Sequence, residues 1–213
     1  MKTDDLVTML ATGAGAVHPH AAQRRYAIAM GAGVLGAALP LLGLLGVRPD
    51  LGTVALAPML WVKVAFVAML AVASLLAAVR LSLPGLRLAW MPALFAAPVL
   101  AVWLAAIIML ARAEPAQRGA LLFGQTWASC PLLIAILSVP TFIGVLWAMQ
   151  GLAPTRLRLA GSVAGLLAGA TGALVYCLHC PESTVPFLGV WYLLGMLIPA
   201  VAGALLGPRV LRW

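Results

Sequence analysis

The stretch PMLWVKVAFVAMLAVASLLAAVR, residues 58–80, decides the fold class, because Lys63 is its only charged side chain before Arg80. A helix of about 20 apolar residues crosses the ~30 Å hydrocarbon core of a bilayer. The rest of the chain is similar: of 213 residues, 64% are hydrophobic and 8% are charged, whereas soluble domains carry roughly 25% charged residues. A water-soluble fold could not bury this much apolar surface, so the sequence predicts an integral membrane protein.

Five further apolar runs flank this stretch, and breaks containing Pro, Gly or charged residues separate them. We therefore predict an all-α, polytopic bundle of six transmembrane helices with short loops. The predicted spans are about 26–47, 58–80, 90–111, 127–149, 159–178 and 187–207. Outside them lie an amino-terminal segment with a short amphipathic helix (1–25) and a tail (208–213), both expected in the cytoplasm.

The orientation follows from the Lys and Arg residues beside the runs, because cationic flanks resist translocation. Nine lie on the side of both termini and three on the other: Lys2, Arg24, Arg25, Arg80, Arg87, Arg156, Arg158, Arg209 and Arg212 against Arg48, Arg112 and Arg118. This asymmetry predicts that both termini are cytoplasmic. The net charge of +8 is thus a signal of topology, and we expect the bilayer rather than nucleic acid as the direct partner of these cations.

Glycine spacing indicates how the helices pack, because small residues four apart let helix backbones approach closely in lipid. Gly161, Gly165 and Gly169 show this spacing in the fifth run, and Gly203 and Gly207 show it in the sixth. We expect close packing within the bundle, with a homodimer face as the alternative.

Lys63 is the one charged residue inside a predicted span, and no Asp or Glu lies within any of the six runs. It lies about one and a half turns from the outer end of its helix, so we expect it to snorkel outward. Pairing with an outer thiol or carboxylate is the alternative. The lack of intramembrane acids counts against an ion-coupled transporter.

All three cysteines lie toward the predicted outer face, with Cys130 before Pro131 at the start of the fourth run and Cys177 and Cys180 at the end of the fifth. Pro favours the first helical position, so we expect Cys130 at the helix cap, where the helix dipole favours a reactive thiolate. Three interpretations compete. The thiols pack as small hydrophobes; they form a disulfide or sense oxidants in an oxidising compartment; or Cys130, Cys177, His179 and Cys180 bind a soft or borderline metal.

The amino-terminal segment carries the signals of a short helix. Thr3 can cap it, and Asp4 and Asp5 in its first turn suit the helix dipole. One face carries the apolar residues Leu6, Met9 and Leu10. So short a helix is unstable alone in water, and its acidic start disfavours an anionic lipid surface. Docking into the groove of a partner protein is therefore the sharper hypothesis.

Several motifs recur in a fixed order along the chain. They are Met1-Lys2-Thr3-Asp4-Asp5-Leu6, Arg48-Pro49-Asp50-Leu51, Lys63, Cys130, Ala153-Pro154-Thr155, His179-Cys180-Pro181-Glu182 and Trp191-Tyr192. In their order and spacing, over essentially the whole chain, they resemble the NrsF family of membrane anti-sigma factors, which are negative regulators of extracytoplasmic-function (ECF) sigma factors in proteobacteria.

The resemblance implies a multi-pass protein of the bacterial inner membrane that holds an ECF sigma factor inactive on the cytoplasmic side. Stress perceived outside, from heavy metals or oxidants, would release the sigma factor. The family ties two periplasmic cysteines to sensing, and Cys130 and Cys180 match them, while Cys177 is an addition and Lys63 a modulating charge. The amino-terminal helix, from Thr3 to Leu10, becomes the candidate sigma-factor-binding element. We expect no enzymatic activity and no resident cofactor, with transient heavy-metal binding as the one ligand interaction.

Two other classes of function compete with this interpretation. A membrane thiol oxidoreductase would use Cys177 and Cys180 as a redox pair with Cys130 resolving, although such enzymes usually need two exchanging pairs and a protein or quinone partner. A small transporter is the third class.

Overall fold

The computed structural model describes residues 3–13, 20–82, 90–152 and 154–212. Throughout these ranges the regular elements are helices, and no strand occurs. They are α1 (Thr3–Gly13), α2 (Ala21–Leu45), α3 (Leu51–Val54), α4 (Pro58–Leu81), α5 (Met91–Arg112), α6 (Pro115–Phe123), α7 (Cys130–Gln150), α8 (Leu157–Tyr176) and α9 (Val185–Val210).

Six of these helices, α2, α4, α5, α7, α8 and α9, are long and apolar enough to cross a membrane, with lengths from 20 to 26 residues. This confirms, for the described part of the chain, the prediction of an all-α protein with six membrane-length helices. The side on which the termini lie stays a prediction. Some of the sequence predictions involve parts of the chain that the structure does not describe. These are Lys2 and Arg87 of the charge asymmetry, the side chain of Leu10, and Ala153 of the family motif.

Two short helices lie in links that were predicted as loops. Pro115 starts α6, and proline suits this position because the first helical residues need no intrahelical donor. Gly124 ends α6 with a φ of +55°, a conformation that glycine adopts at little cost. The second short helix, α3, lies in the link between α2 and α4 and begins after its N-cap residue, Asp50.

α8 lies in the middle of the bundle, against α4, α7 and α9. A Cβ atom added at Gly161 would collide with the carbonyl group of Gly203, and one added at Gly165 would collide with that of Pro199. The backbones of α8 and α9 therefore touch along the glycine face. The prediction of close packing within the bundle is confirmed, and this face of α8 is already occupied inside one chain.

The loops that follow α2 and α8 meet at one end of the bundle. The amide of Arg48 donates to the carbonyl oxygen of Leu178 at 3.1 Å, and the hydroxyl of Thr184 donates to that of Leu121, in α6, at 2.9 Å. We call this the thiol end, because it contains all three cysteines.

The opposite end, which we call the tail end, gathers the start of α2, the end of α4 and the chain after α9. The hydroxyls of Tyr26 and Ser82 lie 2.8 Å apart in a buried contact. The side-chain amide of Gln150 donates to the carbonyl oxygen of Val210 at 2.9 Å. The two ends are thus separated by the length of the long helices, about 30 Å for 20 residues.

Candidate functional site

The three cysteines converge at the thiol end. Cys130 is the first residue of α7, while Cys177 and Cys180 lie in the turn after α8. All three are free and buried, with exposed fractions of 0% for Cys130, 2% for Cys177 and 0% for Cys180. They belong to one apolar cluster that also contains Tyr176 and Tyr192. We call these five residues the thiol cluster.

Cys130 occupies a slightly different position from the one predicted. Ser129 is the N-cap of α7, so Cys130 is the first helical residue and Pro131 the second. The cap assignment is therefore wrong by one residue. The reason is that the amide of Cys130 already donates to the carbonyl oxygen of Thr126 at 2.9 Å, which brings the chain into helical geometry earlier. The thiol still lies in the first turn, where the helix dipole is positive.

A tight turn places Cys180 back over the end of α8. The amide of Cys177 donates to the carbonyl oxygen of Ala173 at 3.0 Å, and that of Cys180 donates to Tyr176 at 3.0 Å. Pro181 has no amide hydrogen and cannot continue the helix. The local sequence thus ends α8 and turns the second cysteine toward the bundle.

Lys63 is buried rather than snorkelled, with an exposed fraction of 2%. Its ammonium group donates to the carbonyl oxygen of Cys180 at 3.3 Å and to the hydroxyl of Tyr192 at 3.4 Å, and it lies 5.2 Å from the centre of the Tyr192 ring. The prediction of snorkelling is therefore wrong. The turn carbonyl and the tyrosine supply partners inside the bundle, so the side chain points inward.

Arg48 contacts the same carbonyl group from the loop after α2. Its Nη1 donates to the oxygen of Cys180 at 3.2 Å, while Nε and Nη2 donate to the two carboxylate oxygens of Asp50 at 2.7 Å each. These bonds lower the pKa of the Asp50 carboxyl and raise the pKa of Arg48. The bidentate pair fixes the guanidinium and so fixes the turn that carries Cys180.

Sulfur interactions differ between the two cysteines of the turn. The Cys130 thiol donates toward the sulfur of Cys180 and lowers the pKa of Cys180 to about 6 against the opposing effect of burial, with help from the charge of Lys63 and the amide of Glu182. Burial raises the pKa of Cys177 to about 11. Cys180 is therefore the more acidic thiol of the turn, and Cys177 the less acidic one.

Glu182 ties the turn to the segment that leads into α7. Its Oε1 accepts from the amide of Gln125 at 2.7 Å and from the hydroxyl of Thr126 at 3.4 Å. A Cβ atom at Gly124 would collide with this carboxylate, so glycine is required there for space as well as for its positive φ. The contact holds the start of α7, with Cys130, beside the turn that carries Cys180.

The ring of His179 is hydrogen-bonded to the loop after α2. Its Nδ1–H donates to the carbonyl oxygen of Gly46 at 2.9 Å. Across the described ranges, no group of three or more His, Cys, Asp or Glu side chains is arranged to hold a metal ion. The predicted ligand set of Cys130, Cys177, His179 and Cys180 is thus not preformed, because the histidine is used to anchor the loop after α2.

Sequence reasoning assigned no role at this site to Arg48, Glu182 or Tyr192, although all three lie in the quoted motifs. The predicted topology could have suggested such a role, because it places these three residues and the cysteines toward the same, outer face of the membrane. Which of them touch Cys180 depends on the packing of α4, α8 and α9 and could not be predicted from spacing.

The predicted binding helix is present as α1 and is exposed. Leu6 and Met9 have exposed fractions of 39% and 65%. Thr3 is the first described residue of α1, and Asp4 lies in its first turn with Asp5. The carbonyl oxygen of Asp4 accepts from the hydroxyl of Thr8 at 2.8 Å. The apolar face of α1 is therefore open to a partner.

Comparison with known proteins extends over the whole chain. The model of the NrsF family, described as "Negative regulator of sigma F", matches residues 10–213. A protein of Azospira oryzae named "Probable anti-sigma-F factor NrsF" is 61% identical over 213 residues, and the match covers all of both chains. The "Anti-sigma-F factor NrsF" of Caulobacter vibrioides is 42% identical over 217 residues, again covering all of both. No solved structure matches. With matches of this extent to the family model and to two full-length relatives, the chain belongs to the NrsF family.

Proposed function

We propose that this protein is an inner-membrane anti-sigma factor that binds an ECF sigma factor and releases it under thiol-directed stress. The observation that carries the proposal is the end-to-end match to two relatives named as anti-sigma-F factors. Family membership favours a stoichiometric regulator over a thiol oxidoreductase or a transporter. The six membrane-length helices support membrane residence.

In this proposal the two ends of the bundle have different tasks. The tail end and α1 face the cytoplasm, where a sigma factor acts, and the thiol end faces the periplasm. The excess of Lys and Arg in the segments beside the tail end supports this orientation, because cationic segments tend to stay in the cytoplasm.

The exposed apolar face of α1 supports a role in sigma-factor binding. At 11 residues, α1 is shorter than helices that are stable alone in water. Burying Leu6 and Met9 in a groove would contribute about 1.5 to 3 kcal/mol for each side chain. A partner would thus stabilise the helix that recognises it.

Cys130 and Cys180 are the proposed sensing pair. An oxidant that accepts two electrons from their sulfurs leaves a disulfide bond between the start of α7 and the turn after α8, and two protons are released. A disulfide holds its two sulfurs about 2.05 Å apart, closer than the hydrogen-bonded thiols stand now, so its formation would shift α7 against the turn. The signal requires two arrangements of the bundle that differ in thiol chemistry and in affinity for the sigma factor.

The test is co-expression with an ECF sigma factor from the same organism, followed by purification of the membrane protein. The sigma factor should co-elute with the untreated protein and should be lost after treatment with diamide, an oxidant of paired thiols. The double variant Cys130→Ser/Cys180→Ser should retain the sigma factor after treatment, and Cys177→Ser is the matched control that should release it.

Each part of the proposal has its own contradicting result. Failure of the untreated wild type to bind the sigma factor would rule out the anti-sigma role. Normal release from the double variant would leave that role standing and reject the assignment of the sensing pair.

A further inference from the structure

Three arginines of the described chain lie at the thiol end, and only one of them is paired with an acid. Arg48 forms its bidentate contact with Asp50. The orientation rule predicts few cations on this side of the membrane, yet Arg112 ends α5 and Arg118 lies in α6. Within the described ranges, the guanidinium of Arg112 makes neither a hydrogen bond nor an ion pair. This cation is therefore available to an anion from outside the chain.

Arg112 lies at the mouth of a cleft between α5, α6 and the start of α9. The cleft has a volume of about 590 Å³. Its wall on α5 is apolar below Arg112, with Ile108 one turn away and Ala105 two turns away, so this wall extends for about 10 Å along the helix. Leu121 lines the cleft from α6, and Val185 lines it from α9. The cleft is thus charged at its outer end and apolar beyond it, which is the polarity of a phospholipid.

A second arginine borders the same mouth. Ala113 and Gln117 line the cleft, and Nε of Arg118 donates to the carbonyl oxygen of Ala113 at 3.2 Å. This bond places a second guanidinium beside the opening. The acid of this link, Glu114, is the N-cap of α6 and does not line the cleft. Positive charge therefore exceeds negative charge at the mouth.

We propose that this cleft binds a phospholipid of net negative charge, with its phosphate on Arg112 and an acyl chain along the apolar wall of α5. A guanidinium group forms charge-assisted hydrogen bonds with phosphate oxygens. A zwitterionic phospholipid such as phosphatidylethanolamine carries the same phosphate, but it also carries an ammonium group that Arg118 repels. The cleft on the other face of α5, beside Trp103 and Gly189, has no charged residue in its lining. The inference goes beyond the proposed function and needs only that the long helices lie in a bilayer.

The experiment measures lipid contacts of the purified full-length protein in nanodiscs of phosphatidylcholine. Trace phosphatidylglycerol or phosphatidylethanolamine, each with the same diazirine-bearing acyl chain, is photo-cross-linked, and peptide mass spectrometry locates the labels. The ratio of anionic to zwitterionic labelling at Ile108 and Met109 is divided by the ratio at Leu132 and Ile136. These two reference residues are exposed on α7, which has no charged residue. We expect a normalised ratio of about fivefold or more, the contribution of one arginine beside an anionic lipid.

Arg112→Gln should lower the normalised ratio about fivefold, because the phosphate loses its cation. Arg209→Gln is the control, since it removes an exposed cation at the tail end and should leave the ratio unchanged. A ratio near one in the wild type, or an unchanged ratio in Arg112→Gln, would overturn the proposal. Absence of labelling in the cleft with either lipid would also overturn it, because a second protein chain would then cover the cleft.

A second variant tests the apolar part of the cleft and keeps both arginines. Ala105→Trp places an indole ring where the acyl chain is expected, so labelling of Met109 by phosphatidylglycerol should be lost. Ala111→Trp adds the same side chain at an exposed position of α5 that does not line the cleft, and it should keep the labelling. Equal labelling in these two variants would overturn the proposal. Neither measurement involves the sigma factor, so failure here is distinct from failure of the anti-sigma role.

Discussion

The backbone and the side chain of Cys180 make different contacts. Its carbonyl oxygen accepts from Lys63 and Arg48, which fixes the turn. Its sulfur interacts with the thiol of Cys130 and the amide of Glu182. Reaction at the sulfur therefore acts on a residue whose backbone is held from two other segments, and we expect those segments to move with it.

The pH dependence of alkylation should separate the two cysteines of the turn. The Cys130 thiol lowers the pKa of Cys180 to about 6, and the thiolate is the reactive form. The rate of reaction of Cys180 with iodoacetamide should therefore fall as the pH falls through 6, becoming about tenfold slower at pH 5 than on the plateau above pH 7. Cys177, whose pKa burial raises to about 11, should stay slow up to alkaline pH. Peptide mass spectrometry measures both rates in one sample.

Cys130→Ser is the matched variant for this profile, since a serine hydroxyl is a different donor in the same place. We expect the pH midpoint of Cys180 alkylation to shift in this variant, because the hydrogen bond from Cys130 is the strongest interaction of the Cys180 sulfur and the substitution changes it. A wild-type midpoint near 8.5, the ordinary value for a cysteine, would show that Cys130 does not act on Cys180.

Lys63 shows how far single residues could be predicted. A lone cation in an apolar run is visible in the sequence, and both outcomes, snorkelling or pairing at the thiols, follow from general rules. The choice between them depends on Tyr192, which lies 129 positions further along the chain. The spacing of residues within one helix cannot predict a contact with a residue so distant in the sequence.

At the scale of elements, apolar runs and regular glycine spacing predicted the long helices and one of their contacts, whereas the short helices in the links were not predicted. The six long helices follow from length and apolarity, and the contact of α8 with α9 follows from glycines four residues apart. The short helix α6 lies in a polar link where the only signals were Pro115 and Gly124. Its position is fixed by tertiary contacts, such as the bond from Thr184 to Leu121.

The helix α1 should lose its partner when its exposed face becomes polar. Leu6→Ser/Met9→Ser removes apolar contacts worth about 1.5 to 3 kcal/mol each, so sigma-factor affinity should fall at least about tenfold for each substitution. Titration of fluorescently labelled sigma factor against the protein in nanodiscs measures the affinity.

Ala11→Ser is the control for α1, because it adds the same side chain on the opposite face of the same helix. Its affinity should stay within about twofold of the wild type, a change below 0.5 kcal/mol. Equal affinities for the double variant and the wild type would move the binding surface from α1 to the tail end.

For the whole molecule, the arrangement requires the thiol end and the tail end on opposite sides of the membrane. A fusion of alkaline phosphatase after Glu114 should be active, because the enzyme folds in the oxidising periplasm. A fusion after Gly151 should be inactive, while green fluorescent protein at the same position should fluoresce. Phosphatase activity at both positions would contradict the proposed orientation.

The glycine-lined contact between α8 and α9 has a consequence for how a signal could cross the molecule. At Gly161 and Gly165 backbone packs directly on backbone, so at these two contacts no side chain lies between the helices that could change rotamer and absorb a displacement. One end of this pair borders the turn with Cys177, and the other reaches Arg209 beside the tail end. We therefore expect a displacement at the cysteines to tilt α8 and α9 together as one rigid pair. The tilt would reach the tail end without being absorbed at the contact between the two helices.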